Sequence, residues 1–152
     1  MSKLGSLQLG SLHIINLTET HIMPFAENPT STCHVAGWGQ TEAGSQSPVV
    51  LSTDVKVFSS SYCNGLSSSR YHNRVNEDFQ FCAGQNEDGK DSCNGDSGGP
   101  LLCVKDGRHV LYGIVSKGGS GCGIAAEPGI YSTVANIIPW IRSQTQGTYI
   151  FF

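Results

Sequence analysis

Charge is scarce in this chain: 14% of its 152 residues are Asp, Glu, Lys or Arg, and the nine Lys and Arg are scattered. A net charge of -3 without a basic stripe makes nucleic acid and acidic membranes poor partners. No segment is long or apolar enough to span a bilayer, and there is no repeat or low-complexity tract. The six cysteines include no Cys-x-x-Cys pair, which argues against zinc and against a thioredoxin-type redox site; no metal and no cofactor are expected. Between Met1 and His13 the leucines are interrupted by Gly, Ser and Gln, so the compact apolar region of a signal peptide is missing.

What the chain does have is glycine, 19 residues of it, with 38% hydrophobic residues in short runs between Gly, Ser and Asn clusters. That is enough for one domain with a core, built mostly of short strands and tight turns. Residues 1–32 run through Pro24 and Asn28-Pro29-Thr30 and read as an extended connecting segment, with a glycosylation sequon at Asn16. Strands are expected over Cys33–Gly39, Val49–Phe58, Gln80–Gly84, Pro100–Val104, Val110–Ser116 and Gly129–Val134. A helical turn is expected at Ser59–Asn64. Turns are expected at Asp88-Gly89 and Asp106-Gly107. Apolar positions 137, 138, 140 and 141 suit a terminal helix despite Pro139, and residues 147–152 form a tail. The even cysteine count reads as disulfides, although spacing alone cannot choose the pairing.

The stretch that carries chemistry is Asp91-Ser92-Cys93-Asn94-Gly95-Asp96-Ser97-Gly98-Gly99-Pro100. It sets a hydroxyl nucleophile among glycines and carboxylates. Gly95 frees the amides of Gly95 and Ser97 to turn toward one point, where they would stabilise an oxyanion, and Gly98 and Gly99 keep the approach to Ser97 open. The implied chemistry is acyl transfer. An α/β-hydrolase elbow is a poor fit, since the chain lacks the strand–turn–helix alternation that this elbow needs.

This loop resembles the nucleophile loop of the chymotrypsin/trypsin family of serine endopeptidases. Further anchors follow in family order: Cys33 to Gly39, Gln80 to Gly84, Tyr112-Gly-Ile-Val-Ser116, Pro128-Gly-Ile-Tyr131 and Trp140-Ile141. The resemblance is to the second of the family's two barrels. It implies a single six-stranded antiparallel β-barrel over residues 33–146 with a C-terminal helix, and disulfides Cys33–Cys103, Cys63–Cys82 and Cys93–Cys122. It also implies that Asp91, six residues before Ser97, is the carboxylate at the floor of the primary substrate pocket. There it selects Arg or Lys before the scissile bond, since an uncharged side chain would leave a buried charge unpaired. Ser92 supports that pocket, Gly118 and Gly129 leave it open, and Ser116 and Gly118 offer backbone hydrogen bonds to an extended substrate. Asp96 matches the carboxylate that pairs with the new amino terminus after zymogen cleavage. Lys117 departs from the family, which usually carries an aromatic residue there, and so alters the neighbouring subsites.

Ser97 needs a base within hydrogen-bond reach, itself oriented by a third group. The resemblance places that histidine and aspartate in the first barrel, in Thr-Ala-Ala-His-Cys and Asp-Ile-Ala-Leu type segments, and neither occurs here. His13, His21, His34, His72 and His109 stand in other contexts. The reading is therefore a secreted, trypsin-like serine endopeptidase represented by its carboxy-terminal half, inactive alone. Disulfides without an export signal fit a missing amino-terminal portion. Its partners are peptide substrates, the absent first barrel or a protease inhibitor. The alternative is a non-catalytic homologue that keeps the barrel as a binding surface.

Overall fold

The computed structural model describes residues 32–66, 75–85, 90–105, 108–118, 121–124 and 127–145. The segment ahead of Thr32, the sequon at Asn16, the tail 147–152, His13, His21, His72 and the turns at Asp88-Gly89 and Asp106-Gly107 lie outside the described residues.

Six strands form: β1 (Thr32–Gly37), β2 (Leu51–Phe58), β3 (Gln80–Gly84), β4 (Pro100–Lys105), β5 (Arg108–Lys117) and β6 (Gly129–Thr133). In β2 the sequence alternates, so Leu51, Thr53, Val55 and Val57 face inward while Asp54 and Lys56 face solvent. The strand begins two residues later than the pattern suggests. Ser47 explains this: its hydroxyl donates to the Val49 carbonyl at 2.7 Å and accepts the Val49 amide at 3.3 Å, a local turn that competes with strand pairing. Val49 is left 51% exposed.

The strands close into an antiparallel barrel in the order β1-β2-β3-β6-β5-β4. The closing seam joins β1 to β4, with Cys33 opposite Cys103 and Val35 opposite Leu101. Inside lie Val35, Val55, Phe81, Leu101, Tyr112 and Tyr131, with the Phe81 ring 4.8 Å from Tyr112 and 5.5 Å from Tyr131. Aromatic pairs at such distances add to the area they bury.

Two helices complete the fold among the described residues. The helix α1 (Ser60–Gly65) is capped by Ser59, whose hydroxyl accepts the Tyr62 amide at 3.2 Å. It carries Cys63 into a small cluster with Val75 and Cys82. The terminal helix α2 (Val134–Thr145) buries Val134 and Ile138 and contains Pro139. Three disulfides join Cys33 to Cys103, Cys63 to Cys82 and Cys93 to Cys122.

Candidate active site

The loop between β3 and β4 carries Asp91, Asp96 and Ser97, and its shape is set by Asp96. That side chain is buried, 3% exposed. It accepts the Gly39 amide at 2.7 Å on Oδ1 and the Cys93 amide at 2.9 Å on Oδ2, so both carboxylate oxygens are held. The Asp96 amide closes a turn onto the Cys93 carbonyl and its own carbonyl takes the Gly99 amide. No Lys, Arg or His pairs with Asp96 among the described residues. Gly37 and Gly39 are required beside it, since a Cβ on either would overlap the carboxylate. Gly39→Ala is accordingly expected to cost ~2–3 kcal/mol in urea unfolding with disulfides intact, because Asp96 must leave both amides. Gly65→Ala, whose Cβ meets nothing, is the control and leaves stability equal or higher.

With Asp96 held inward, the residues around it turn outward. Gly95 has φ 101° and Gly98 φ 82°, and Ser97 between them is exposed. A Cβ at Gly95 would stand 2.8 Å from Gln46 Nε2 and in a left-handed conformation, so only glycine fits. The letters Gly95-Asp96-Ser97-Gly98-Gly99 fit Gly-x-Ser-x-Gly, but the segment that follows is the strand β4 and not a helix. The hydrolase elbow is excluded by that geometry. The Ser97 hydroxyl takes no hydrogen bond among the described residues, and neither His34 nor His109 reaches it.

Asp91 lies at the other end of the loop and is 5% exposed. Its Oδ1 accepts the Ser92 amide at 2.7 Å, and the Ser92 hydroxyl stands 3.1 Å from the Tyr131 hydroxyl. Burial pushes the Asp91 carboxyl up to about 7, against the opposing effect of hydrogen bonds from Ser92, Gly123 and Tyr131. Tyr131 is raised beyond the ordinary phenol range, first by burial and then by the Asp91 charge. Gly129 borders the pair: a Cβ there would sit 3.2 Å from Asp91 Oδ1 and 3.5 Å from Ser92 Oγ. Gly118 differs, since its Cβ would point into open space.

The end of β5 runs alongside. The Gly98 amide donates to the Val115 carbonyl and the Val115 amide to the Gly99 carbonyl, both at 2.9 Å. Past Val115 the strand ends with Ser116 and Lys117 and the chain runs on to Gly118, and on that edge no described residue pairs with this stretch. A bulge at Ser116 interrupts the pairing with β6 as well. This free edge begins where the Ser97 loop ends. The Cys93–Cys122 disulfide ties the loop to the segment after β5. The roles of Tyr131, Gly37 and Gly39 are invisible in the spacing: Tyr131 lies 39 residues from Ser92, and Gly39 57 from Asp96.

Comparison with known proteins supports the family resemblance. The sequence pattern of the family described as Trypsin matches residues 13–141. Bovine coagulation factor XII is 41% identical over 124 residues, covering 79% of this chain and 20% of factor XII. Human kallikrein-4 is 38% identical over 118 residues, covering 78% of this chain and 43% of kallikrein-4. Among solved structures, mouse neuropsin, a serine protease expressed in the limbic system, superposes with a TM-score of 0.64 at 32% identity, covering 76% of this chain and 48% of neuropsin. The chain thus spans less than half the length of each of these relatives.

Proposed function

The chain belongs to the trypsin family of serine peptidases, and on that premise we propose that it carries the nucleophile and the substrate pocket of an endopeptidase that cleaves after Arg or Lys. The observation that carries this reading is Asp91: a carboxylate only 5% exposed, bordered by Ser92, Tyr131 and Gly129, one short loop from an exposed serine. Burial raises the free energy of its ionised form. A guanidinium or ammonium brought to it restores the lost solvation and makes a charge-assisted hydrogen bond. An extended peptide lies along the free edge of Ser116–Gly118 and pairs with its backbone, which brings the bond after its cationic residue to Ser97. Gly118 leaves the mouth of the pocket clear. Lys117, exposed on that edge, adds a positive charge where the family usually offers an aromatic wall.

In the reaction Ser97 Oγ attacks the carbonyl carbon while a base takes its proton, and the amides of Gly95 and Ser97 hold the oxyanion. The base and its orienting carboxylate come from a first barrel, outside residues 1–152, as does the ammonium that joins Asp96 on activation. The three disulfides suit an oxidising, extracellular compartment. By itself the chain is inactive, because no described residue offers Ser97 a base.

A serine-directed phosphonate bearing an amidine tests this. The 152-residue chain alone should react at least ~10³-fold more slowly than the same residues joined to a first barrel that supplies His and Asp. Equal rates would show that a base lies within this chain. A second reading, a binding module without catalysis, draws on the exposed aromatics Trp38, Phe79 and Trp140. It predicts no labelling even after the first barrel is supplied.

A further inference from the structure

His34 and His109 meet on the outer wall of the barrel, apart from the loop of Ser97. They stand on β1 and β5, and each of these strands pairs with β4, His34 opposite Leu102 and His109 opposite Val104. Neighbouring strands lie ~4.8 Å apart, so backbones two strands apart are separated by roughly 10 Å or more. The two ring centroids are nevertheless only 6.3 Å apart, with the planes at 53°. Both side chains therefore lean toward each other over β4, above the exposed Val104.

The hydrogen bonding prepares one ring to act as a ligand. His34 Nδ1 lies 2.8 Å from Asp54 Oδ1 across the β1–β2 register. An ionised carboxylate only accepts, so Nδ1 carries a proton, and in the neutral imidazole Nε2 is then the nitrogen with the lone pair. A carboxylate that fixes the tautomer of a histidine from behind is the usual support for a metal-bound imidazole. His109 makes no hydrogen bond among the described residues, so its nitrogens are free.

The spacing suits one ion. With metal–nitrogen bonds of about 2.0–2.1 Å, two imidazoles on a single metal have ring centres roughly 5.2 Å apart when tetrahedral and roughly 6.4 Å when linear. At 6.3 Å the pair lies at the open end of that range, and a swing of ~1 Å by the exposed His109 ring reaches tetrahedral geometry. No third His, Cys, Asp or Glu joins them among the described residues, so water completes the shell.

We propose that His34 and His109, with Asp54 behind His34, form a surface site for a divalent transition ion of the zinc or copper type. Bound there, the ion clips β1 to β5 across β4 and so braces the seam where the barrel closes. It stabilises the folded state by mass action, in proportion to the logarithm of the free metal concentration.

Titration of Zn²⁺ into the oxidised 152-residue chain, followed by histidine-ring NMR and thermal unfolding, tests the site. One ion should bind, moving the ring signals of His34 and His109 together and raising the unfolding midpoint. His34→Gln and His109→Gln should each lower the affinity at least ~10-fold, and Asp54→Asn about 10-fold. All three positions are solvent-facing, and unfolding midpoints in EDTA matching the parent verify that the variants are folded. Absence of saturable binding overturns the proposal. So does zinc binding that both glutamine variants leave unchanged, which would assign the ion to His13, His21 or His72.

Discussion

Replacing Asp91 by Asn should make the folded chain more stable at pH 8, by up to ~4 kcal/mol, while removing the affinity for cationic side chains that we propose for it. The first effect follows from the carboxyl being raised from 3.8 to about 7 by burial. Each unit of difference between folded and unfolded values corresponds to about 1.4 kcal/mol. Because the folded value is the higher one, the folded state keeps a proton that the unfolded chain releases between pH 3.8 and about 7. Stability therefore falls as the pH rises through that window and is lowest above it. An asparagine does not ionise, so the variant lacks this loss, and its side-chain oxygen can still accept the Ser92 amide. Chemical denaturation from pH 4 to pH 8 checks it: the parent curve declines and the variant curve does not. At the thermal midpoint ~4 kcal/mol corresponds to roughly 10 °C for a domain of this size. A variant less stable than the parent at pH 8 would show that the hydrogen bonds to Asp91 outweigh its burial.

The second effect has the opposite sign and the same origin. An amidine ligand should raise the unfolding midpoint of the parent and leave Asp91→Asn unmoved. In an assembled protease the substitution should lower kcat/KM for an arginine substrate by ~10⁴-fold, the scale of discrimination reached when a buried polar partner is lost.

Removal of the Cys33–Cys103 disulfide, with both residues changed to Ala, should cost ~4 kcal/mol. The two cysteines are 70 residues apart, and the loop-entropy relation gives that value for a loop of this length. Both side chains are buried, 0% and 1% exposed, on the strands that close the barrel. The double substitution avoids leaving a single thiol in the core. Urea unfolding of the variant against the parent measures the difference. A loss below ~1 kcal/mol would mean that the unfolded chain already holds β1 near β4.

Much of this architecture is legible in the sequence because it is written locally. The alternation in Leu51–Phe58 and the apolar positions of Ile138 and Ile141 depend on the period of a strand or a helix, which neighbours in sequence define. The onset of β2 departs from its pattern for an equally local reason, the Ser47 hydroxyl capturing both backbone groups of Val49. Gln80–Gly84 stands as expected, and β5 extends two residues earlier and one later than its pattern indicates. Pairing of Arg108 with Lys105 and of His109 with Val104 lengthens β5 at its start, and this is a property of two strands together.

The sequence by itself determined that this is a mostly β, disulfide-bonded domain of the trypsin type with a serine on a glycine-rich loop. Strand period, turn chemistry and the motif around Ser97 are encoded in adjacent residues. The tertiary fold set the surroundings of the individual side chains. It turned Asp96 inward onto the amides of Gly39 and Cys93, set Tyr131 beside Ser92, buried Asp91 until its proton is held to about pH 7, and brought His34 and His109 together over β4. Burial and hydrogen bonding depend on which distant strands become neighbours. Barrel closure fixes that, and no spacing along the chain records it.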